Sequence, residues 1–569
     1  MADKYLDNLH PSAADNVLNG TAKTPYLTIA YALTQASAGD NIYVGNATSY
    51  TLAATNLNVT KSIFFLNWNN REGAKPTING GDATRVLNIN TANPVVFDGF
   101  ILENTRNPVG SYISQSRAAC RDVKFRNCHF QGSVGLGAVN GEAGSSGTIV
   151  ESTCTYNMTA GGFIYTAATG AIESYASGEL YGTAQALFFI SNGDSNGADF
   201  VLGGTHDLFT TNNYVFRCGT TNSDADITID STFYLRTVPS SYSRSTFDII
   251  DPRSFTIENG ARIDTTASEN GTLGDVWVRS PNGLAGAIYI RGLEIDRACI
   301  GGYGIKIGDE SPGASHVANS FTAVEIDKVH VRDGTVFGTV GTTQTHMIFI
   351  GNEKKYKIKN CLIEGGAYGV GIKGDDIADP ASFTYNCKII GVRLSSMKTK
   401  GVENTRWFNN YVVENGAGGI GLDLTENTDS GATGLGSGAI ARNNIFVMDT
   451  EVAINVDTPS NLGNNDLDFN SYYLHGVNIA EFGTTDYVTL ADLQLGEGVE
   501  KHGNSFPGQF PDLISGDLAA PSSVNYRAGV PLTNATRIYD ATGSEEVTIS
   551  NATFNSDTPY RSRRKRVTT

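Results

Sequence analysis

Between residues 356 and 474 one short pattern keeps returning. It reads Asn360-Cys361-Leu362-Ile363, Asn386-Cys387-Lys388-Ile389-Ile390, Asn410-Tyr411-Val412-Val413, Asn444-Ile445-Phe446-Val447 and Asn470-Ser471-Tyr472-Tyr473. The asparagines at 360, 386, 410, 444 and 470 are separated by 26, 24, 34 and 26 residues. A period of a few tens of residues built from short β-branched and aromatic runs means stacked coils, with the length variation taken up in loops. An asparagine pointing inward at the same corner of every coil predicts a hydrogen-bonded amide ladder, since a buried amide must find partners above and below. The pattern therefore predicts an all-β chain wound as a parallel β-helix.

Composition agrees. The 569 residues include 64 glycines and only 17% charged residues, a vocabulary of turns rather than of helices. A solenoid can use such a length as one continuous fold. No stretch is long and apolar enough to cross a bilayer, so no membrane partner is expected. The start, Met1-Ala2-Asp3-Lys4-Tyr5-Leu6, has no signal-peptide core, so either the chain is made and kept in a cytoplasm or a signal was removed before this numbering, and the initial Met favours the first. Cys120, Cys128, Cys154, Cys218, Cys299, Cys361 and Cys387 form an odd set without CxxC spacing, so disulfides and zinc are not expected. Cys128, Cys361 and Cys387, each after an asparagine or within a strand run, read instead as small buried hydrophobes. A net charge of −17 argues against nucleic acid as a partner.

Near the start, Ile29, Ala32, Leu33 and Ala36 fall on one helical face, with Thr28 as N-cap and Gly39 as stop. Ile42-Tyr43-Val44 follows as a strand. This segment, through Tyr50, resembles the N-terminal cap and first coil of the pectate-lyase-like superfamily of right-handed β-helices. Far downstream, Asp468-Phe469-Asn470-Ser471-Tyr472-Tyr473, the helix-like Leu490-Ala491-Asp492-Leu493 and Phe510-Pro511-Asp512 are similar to that superfamily's last coils. The resemblance implies a right-handed parallel β-helix with a short N-terminal capping helix. Further coils are read at residues 95–102, 123–130, 255–258, 293–296 and 324–331. The expected organisation is an N-terminal arm over 1–26, then a cap and first helical part over 27–215 with an insertion near 132–204. An irregular connection over 216–250, a regular β-helix over 251–515, and a C-terminal strand with a basic tail over 516–569 complete it. The tail carries Arg561, Arg563, Arg564, Lys565 and Arg566. It reads as a solvated end or as a docking element for an acidic neighbour.

Two alike segments, around Tyr303–Glu310 and Tyr368–Asp376, and later ones near Asp423 and Asp457, suggest carboxylates aligned on successive coils. The candidate catalytic residues are Asp375, Asp376, Asp423 and Lys373. The candidate substrate-binding residues are Asp309, Glu310, Glu426 and Trp407, with Lys306 alongside. Paired carboxylates are what glycoside hydrolysis needs. Carboxylates with a lysine also suit a β-eliminating lyase, for which Ca²⁺ is the one cofactor allowed; otherwise none is expected, and no resident metal. Gly374-Asp375-Asp376 resembles the paired aspartates of polygalacturonase-type β-helices, whose histidine and Arg-x-Lys motifs are not found downstream. Asp and Gly after a strand are equally ordinary turn formers. The histidines form no HxxxH or catalytic-triad cluster.

Three function classes follow. The first is a bacteriophage virion component of the tailspike, fibre or capsid-decoration kind, which binds a host-surface glycan or stabilises the particle. The chain resembles phage β-helices in style, which implies a homotrimer, other virion proteins and host polysaccharide as partners, and localisation in the virion. The second is a polysaccharide lyase or glycoside hydrolase. The third, a surface adhesin, expects an export signal and a membrane barrel that the sequence lacks.

Overall fold

The computed structural model describes residues 2–505 except 46–48, 53–55, 69–74, 82–84, 105–110, 143, 167–170, 182–185, 191–198, 210–213, 219–224, 238–245, 266–273, 281–285, 298–301, 309–320, 334–345, 354, 375–377, 379, 415–418, 427–435, 458–464 and 475–476, together with 537–539 and 545–548. The chain is an all-β parallel solenoid with two short helices among the described residues, Ile29–Gln35 and Leu490–Glu497. It divides into two units, Met1–Glu353 and Lys354–Thr569.

In the N-terminal unit each coil contributes three strands, and each strand pairs in parallel with its equivalents one coil before and one coil after. Asp3–Leu6 adds to this stack by pairing with Asp40–Gly45. The helix Ile29–Gln35 buries Ile29, Ala32 and Leu33, and the Thr28 hydroxyl caps it by accepting from the Tyr31 N–H. It ends at Ala36 rather than being stopped by Gly39; Gly39 instead takes φ +89° in the turn that leads into Asp40. Strands continue through the regions expected to carry an insertion and an irregular connection, among them Thr155–Thr166, Ser177–Leu180, Asp226–Ile229 and Tyr234–Thr237.

Alternation along each strand sends one side chain into the coil and the next outward. Inside, identical positions stack from coil to coil. Phe65, Phe97 and Phe125 are in register, with ring centroids 4.6 and 5.6 Å apart. All three are wholly buried, and each such side chain contributes about 1.5–3 kcal/mol of hydrophobic stabilisation.

The C-terminal unit repeats the plan with shorter strands, such as Lys388–Ile390, Tyr411–Val413, Ile445–Met448 and Ser471–Leu474. Ala480–Phe482 and Thr485–Tyr487 form an antiparallel hairpin. Glu545–Thr548, within the region 516–569 expected to hold a C-terminal strand, pairs antiparallel with Arg537–Tyr539.

The asparagine repeat resolves into two positions, one residue apart. Asn360, Asn386, Asn409 and Asn443 sit at the turn of the coil with φ between +52° and +57°. That left-handed conformation is one asparagine tolerates better than other residues bearing a Cβ. The next residue points into the core, and there the ladder stands on Asn410, Asn444 and Asn470. Asn410 Nδ2 donates to Asn444 Oδ1 at 3.0 Å, and Asn444 Nδ2 donates to Asn470 Oδ1 at 3.0 Å. The same oxygens accept the backbone N–H groups of Asn410 and Asn444, at 2.9 and 2.8 Å. The expected five-membered ladder is thus corrected to three rungs. Asn360 and Asn386 belong to the turn, joined by their own 2.7 Å bond, and their inward neighbours are Cys361 and Cys387.

Candidate functional site

Asp309, Glu310, Asp375 and Asp376 lie outside the described residues. The other sequence candidates spread over several environments. Trp407 is wholly buried between Thr384 and Ala441 of the neighbouring coils, and its indole N–H donates to Thr405 Oγ1 at 3.3 Å. Strand parity turns it into the core, so it cannot stack on a substrate there. Asp423 lies on the outward side of the strand Ile420–Thr425, in register with Lys398 and Asn455. Its carboxylate accepts from Lys398 Nζ at 2.8 Å, Ser395 Oγ at 3.0 Å and Asn455 Nδ2 at 2.8 Å. With only 3% of its surface exposed, it ties three strands together. Lys373 stands in the adjacent outward row opposite Lys400, Glu426 is half-buried after the strand end, and Asp457 is exposed.

Lys306, in the N-terminal unit, belongs to a group that the sequence reading did not assemble. Arg217, Asp248, Trp277 and Lys306 are in register on four successive strands. Arg279 Nη2 donates to Asp248 Oδ1 at 3.2 Å, and the Arg279 guanidinium lies 4.2 Å from the centre of the Trp277 ring. The Lys306 ammonium is 4.9 Å from that ring and 4.6 Å from the ring of Tyr303. Asp248 and Lys306 are 0% and 3% exposed, so this is a closed mesh of ion pairs and cation–π contacts.

A different face of the N-terminal unit is open. Its strands read Ser177–Leu180, Thr205–Leu208, Tyr234–Thr237, Arg262–Thr265, Glu294–Arg297 and His330–Asp333. Leu235, Ile263, Ile295 and Val331 go inward and their neighbours outward. One outward row runs in register through Gln131, Asn157, Glu179, Asp207, Arg236, Asp264, Asp296 and Arg332. Arg236 grips Asp207 with two bonds, at 2.9 and 2.6 Å. Tyr234 OH and Arg262 both donate to Asp264, at 2.7 Å and at 2.8 and 3.0 Å. Arg332 pairs with Asp296, and Gln131 and Asn79 donate to Glu103.

Beside this row, Tyr181 and Phe209 stack on adjacent coils with centroids 4.6 Å apart and rings 3° from parallel. Tyr181 is 47% exposed, and its hydroxyl donates to Glu179 at 2.6 Å. That bond raises the Tyr181 phenol above its usual value, as Asp207 raises the guanidinium of Arg236. The sequence did carry a signal for this face. In Thr205-His206-Asp207-Leu208, Arg262-Ile263-Asp264-Thr265 and Glu294-Ile295-Asp296-Arg297, a charged residue recurs at the third strand position. Aligning coils by strand position rather than by asparagine brings these residues together.

The layer beneath the row fixes it. Tyr156 is buried inward, and its hydroxyl meets His206 Nδ1 at 2.8 Å across the intervening coil. The inward residue of that coil is Gly178, where an added Cβ would lie 2.1 Å from the Tyr156 carbonyl oxygen. His206 Nε2 is 3.0 Å from the Gly203 carbonyl, to which it donates. Burial pulls the imidazole down to about 4, so it stays neutral, with Nδ1 accepting from Tyr156. Among the described residues, no group of three or more histidine, cysteine, aspartate or glutamate side chains converges as a metal site.

No protein-family model matches the chain, and no curated protein matches it. Among solved structures, the chain is similar to the crystal structure of GH136 lacto-N-biosidase from Eubacterium ramulus. That likeness has 11% identity and a TM-score of 0.16, covering 89% of this chain and 67% of the other. At that level it carries no argument about chemistry.

Proposed function

We propose that the chain is a glycan-binding β-solenoid, and that its working place is a bacteriophage particle. The observation that carries the binding reading is the open, in-register row from Gln131 to Arg332 beside the Tyr181–Phe209 stack. Carboxylates, amides and guanidiniums at one spacing offer acceptors and donors to the repeating hydroxyls of a polysaccharide, and a stacked aromatic pair meets the apolar face of a sugar ring. Arginine clamps hold the carboxylates in place before a ligand arrives. The particle setting rests on the sequence: an acidic chain of Gly- and Asn-rich coils in the style of phage β-helices. Mass spectrometry of particles, with light scattering for a homotrimer, tests that setting.

Binding is tested by surface plasmon resonance against bacterial surface polysaccharides, using Tyr181→Ala. Loss of one stacking surface should weaken binding about tenfold, or about 1.4 kcal/mol. Unchanged binding would remove the Tyr181 face from the proposal. One observation favours hydrolysis as a second reading. Glu179 and Asp207 are register partners on adjacent coils, and only Asp207 is clamped by arginine. Two nearby carboxylates in unlike surroundings are what an acid and a nucleophile require. New reducing ends abolished by Glu179→Gln or Asp207→Asn would establish it. Dependence on Asp375 or Asp376 instead would move the chemistry to the C-terminal unit.

A further inference from the structure

Two cysteines that lie 26 residues apart in sequence meet inside the N-terminal unit. Cys128 and Cys154 directly precede His129 and Thr155, which are register partners on adjacent coils. The Thr155 N–H donates to the Cys128 carbonyl at 2.9 Å, so the pairing extends to the cysteines themselves. Both side chains are wholly buried, and the two thiols are hydrogen-bonded to each other. Neighbouring parallel strands lie about 4.8 Å apart, within the ~4.4–6.8 Å between Cα atoms that a disulfide spans. Both residues are free thiols in this structure. The C-terminal unit holds a second register pair for comparison. Cys361 and Cys387 precede the partners Leu362 and Lys388, but their thiols donate to the carbonyls of Lys359 and Tyr385, at 3.3 and 3.4 Å. Those sulfurs are turned to backbone oxygens; Cys128 and Cys154 are turned to each other.

We propose that Cys128 and Cys154 are the site of a reversible disulfide between adjacent coils, closed by a small disulfide such as oxidised glutathione. The attacking sulfur is that of Cys154. Its hydrogen bond with Cys128 lowers its thiol below the usual value, whereas burial raises that of Cys128. The thiolate is the nucleophile, so the lowered group goes first. The exposed turn residues Ser152 and Thr153 lead into it, and opening of that turn admits the reagent. Cys154 attacks one sulfur of the small disulfide and forms a mixed disulfide, while the other half leaves and takes up the Cys154 proton. Cys128 then attacks the Cys154 sulfur, and the second small thiol leaves with the Cys128 proton. Two electrons pass from the cysteine sulfurs to the small disulfide, which is reduced to two thiols. The new bond replaces a contact between the Cys128 sulfur and the Phe97 carbonyl oxygen at 3.4 Å. It staples the two coils that carry Gln131 and Asn157, fixing one end of the outward row whatever that row binds.

The test equilibrates the full chain with reduced and oxidised glutathione in two arms, one folded throughout and one refolded from urea so that burial cannot hide the thiols. Remaining thiols are alkylated in denaturant and the peptides mapped by mass spectrometry. The expected first product is one intramolecular disulfide joining 128 to 154, with Cys361 and Cys387 alkylated, and it should disappear on adding dithiothreitol. In Cys128→Ala, glutathione should stay on Cys154 several-fold more often than it stays on Cys128 in Cys154→Ala. Oxidation should also move urea unfolding of the parent chain to higher urea, and leave it unmoved in both variants. Thiols at 128 and 154 in both arms, a first disulfide between any other cysteines, or equal trapping of glutathione in the two variants would overturn the proposal.

Discussion

The residue just after the left-handed turn of each coil faces the same problem in both units, and the two solve it differently. In the N-terminal unit that inward position holds Phe100, Cys128, Ala261, Leu293 and Val329, all fully buried, after Gly99, Asn127, Gly260, Gly292 and Lys328 at positive φ. In the C-terminal unit it begins with Cys361 and Cys387 and then becomes Asn410, Asn444 and Asn470. The apolar version depends on volume, since side chains of different size must interlock from coil to coil. The amide version depends on pairing, since every rung bonds the next rung and also a backbone carbonyl, of Thr384, Trp407 and Ala441 in turn. One register position can therefore be filled by shape or by hydrogen bonds, and the two halves should fail in different ways.

The largest difference should come from removing a rung. Asn444→Ala leaves the Asn410 N–H, the Asn410 side-chain amide and the Trp407 carbonyl each short of a partner, all buried polar groups, while the Asn470 oxygen keeps the backbone N–H of residue 444. With a cost of about 1–3 kcal/mol for each unsatisfied group, the C-terminal unit should lose ~3 kcal/mol or more in urea unfolding. A loss below ~1 kcal/mol would mean that water replaces the rung. Next comes a change of volume in the other unit. Gly178→Ala drives a methyl group into the Tyr156 carbonyl and ring, and should cost ~1–3 kcal/mol while freeing His206 from Tyr156.

A smaller effect separates the units by pH. Folded His206 protonates near 4 against an ordinary 6.5, so the unfolded chain binds the extra proton between those values. Its contribution is complete above about 6.5 and is lost as the pH falls toward 4. Glu500 has the opposite sign. Burial raises it to about 7 from 4.5, so the folded chain keeps a proton that the unfolded chain releases. Its contribution is complete below about 4.5 and is lost as the pH rises toward 7. Across the shared window, peptides around residue 206 should gain protection from hydrogen exchange with rising pH, and peptides around residue 500 should lose it, after correction for intrinsic rates. Glu500→Gln should flatten only the second trend.

The sequence announced the solenoid clearly, because a period of a few tens of residues, with an asparagine at each turn, has few other folds open to it. It was less clear about which asparagine does what. Turn and ladder positions are neighbours, and both favour the same residue, one for its tolerance of positive φ and the other for its amide. Asn409-Asn410 and Asn443-Asn444 carry both roles in one dipeptide. The candidate site was harder still. Carboxylates after glycine are conspicuous in the sequence, whereas Glu179, Asp207 and Asp264 lie inside short strands and gain meaning only once coils are aligned by register. Trp407 was misread for a related reason: a three-residue strand is too short for alternation to show in sequence which side faces inward.

The end of the ladder has a consequence for growth. Asn470 donates to Glu500, which also accepts from Tyr472. An asparagine rung hands its neighbour both halves of a hydrogen bond and so invites another identical layer without limit. Glu500 supplies the acceptors that Asn470 needs, for its side-chain amide and its backbone N–H, and one for the Tyr472 hydroxyl. Its own side chain carries no amide NH₂ to pass to a further coil, so the run of asparagine rungs has its last acceptor at that corner.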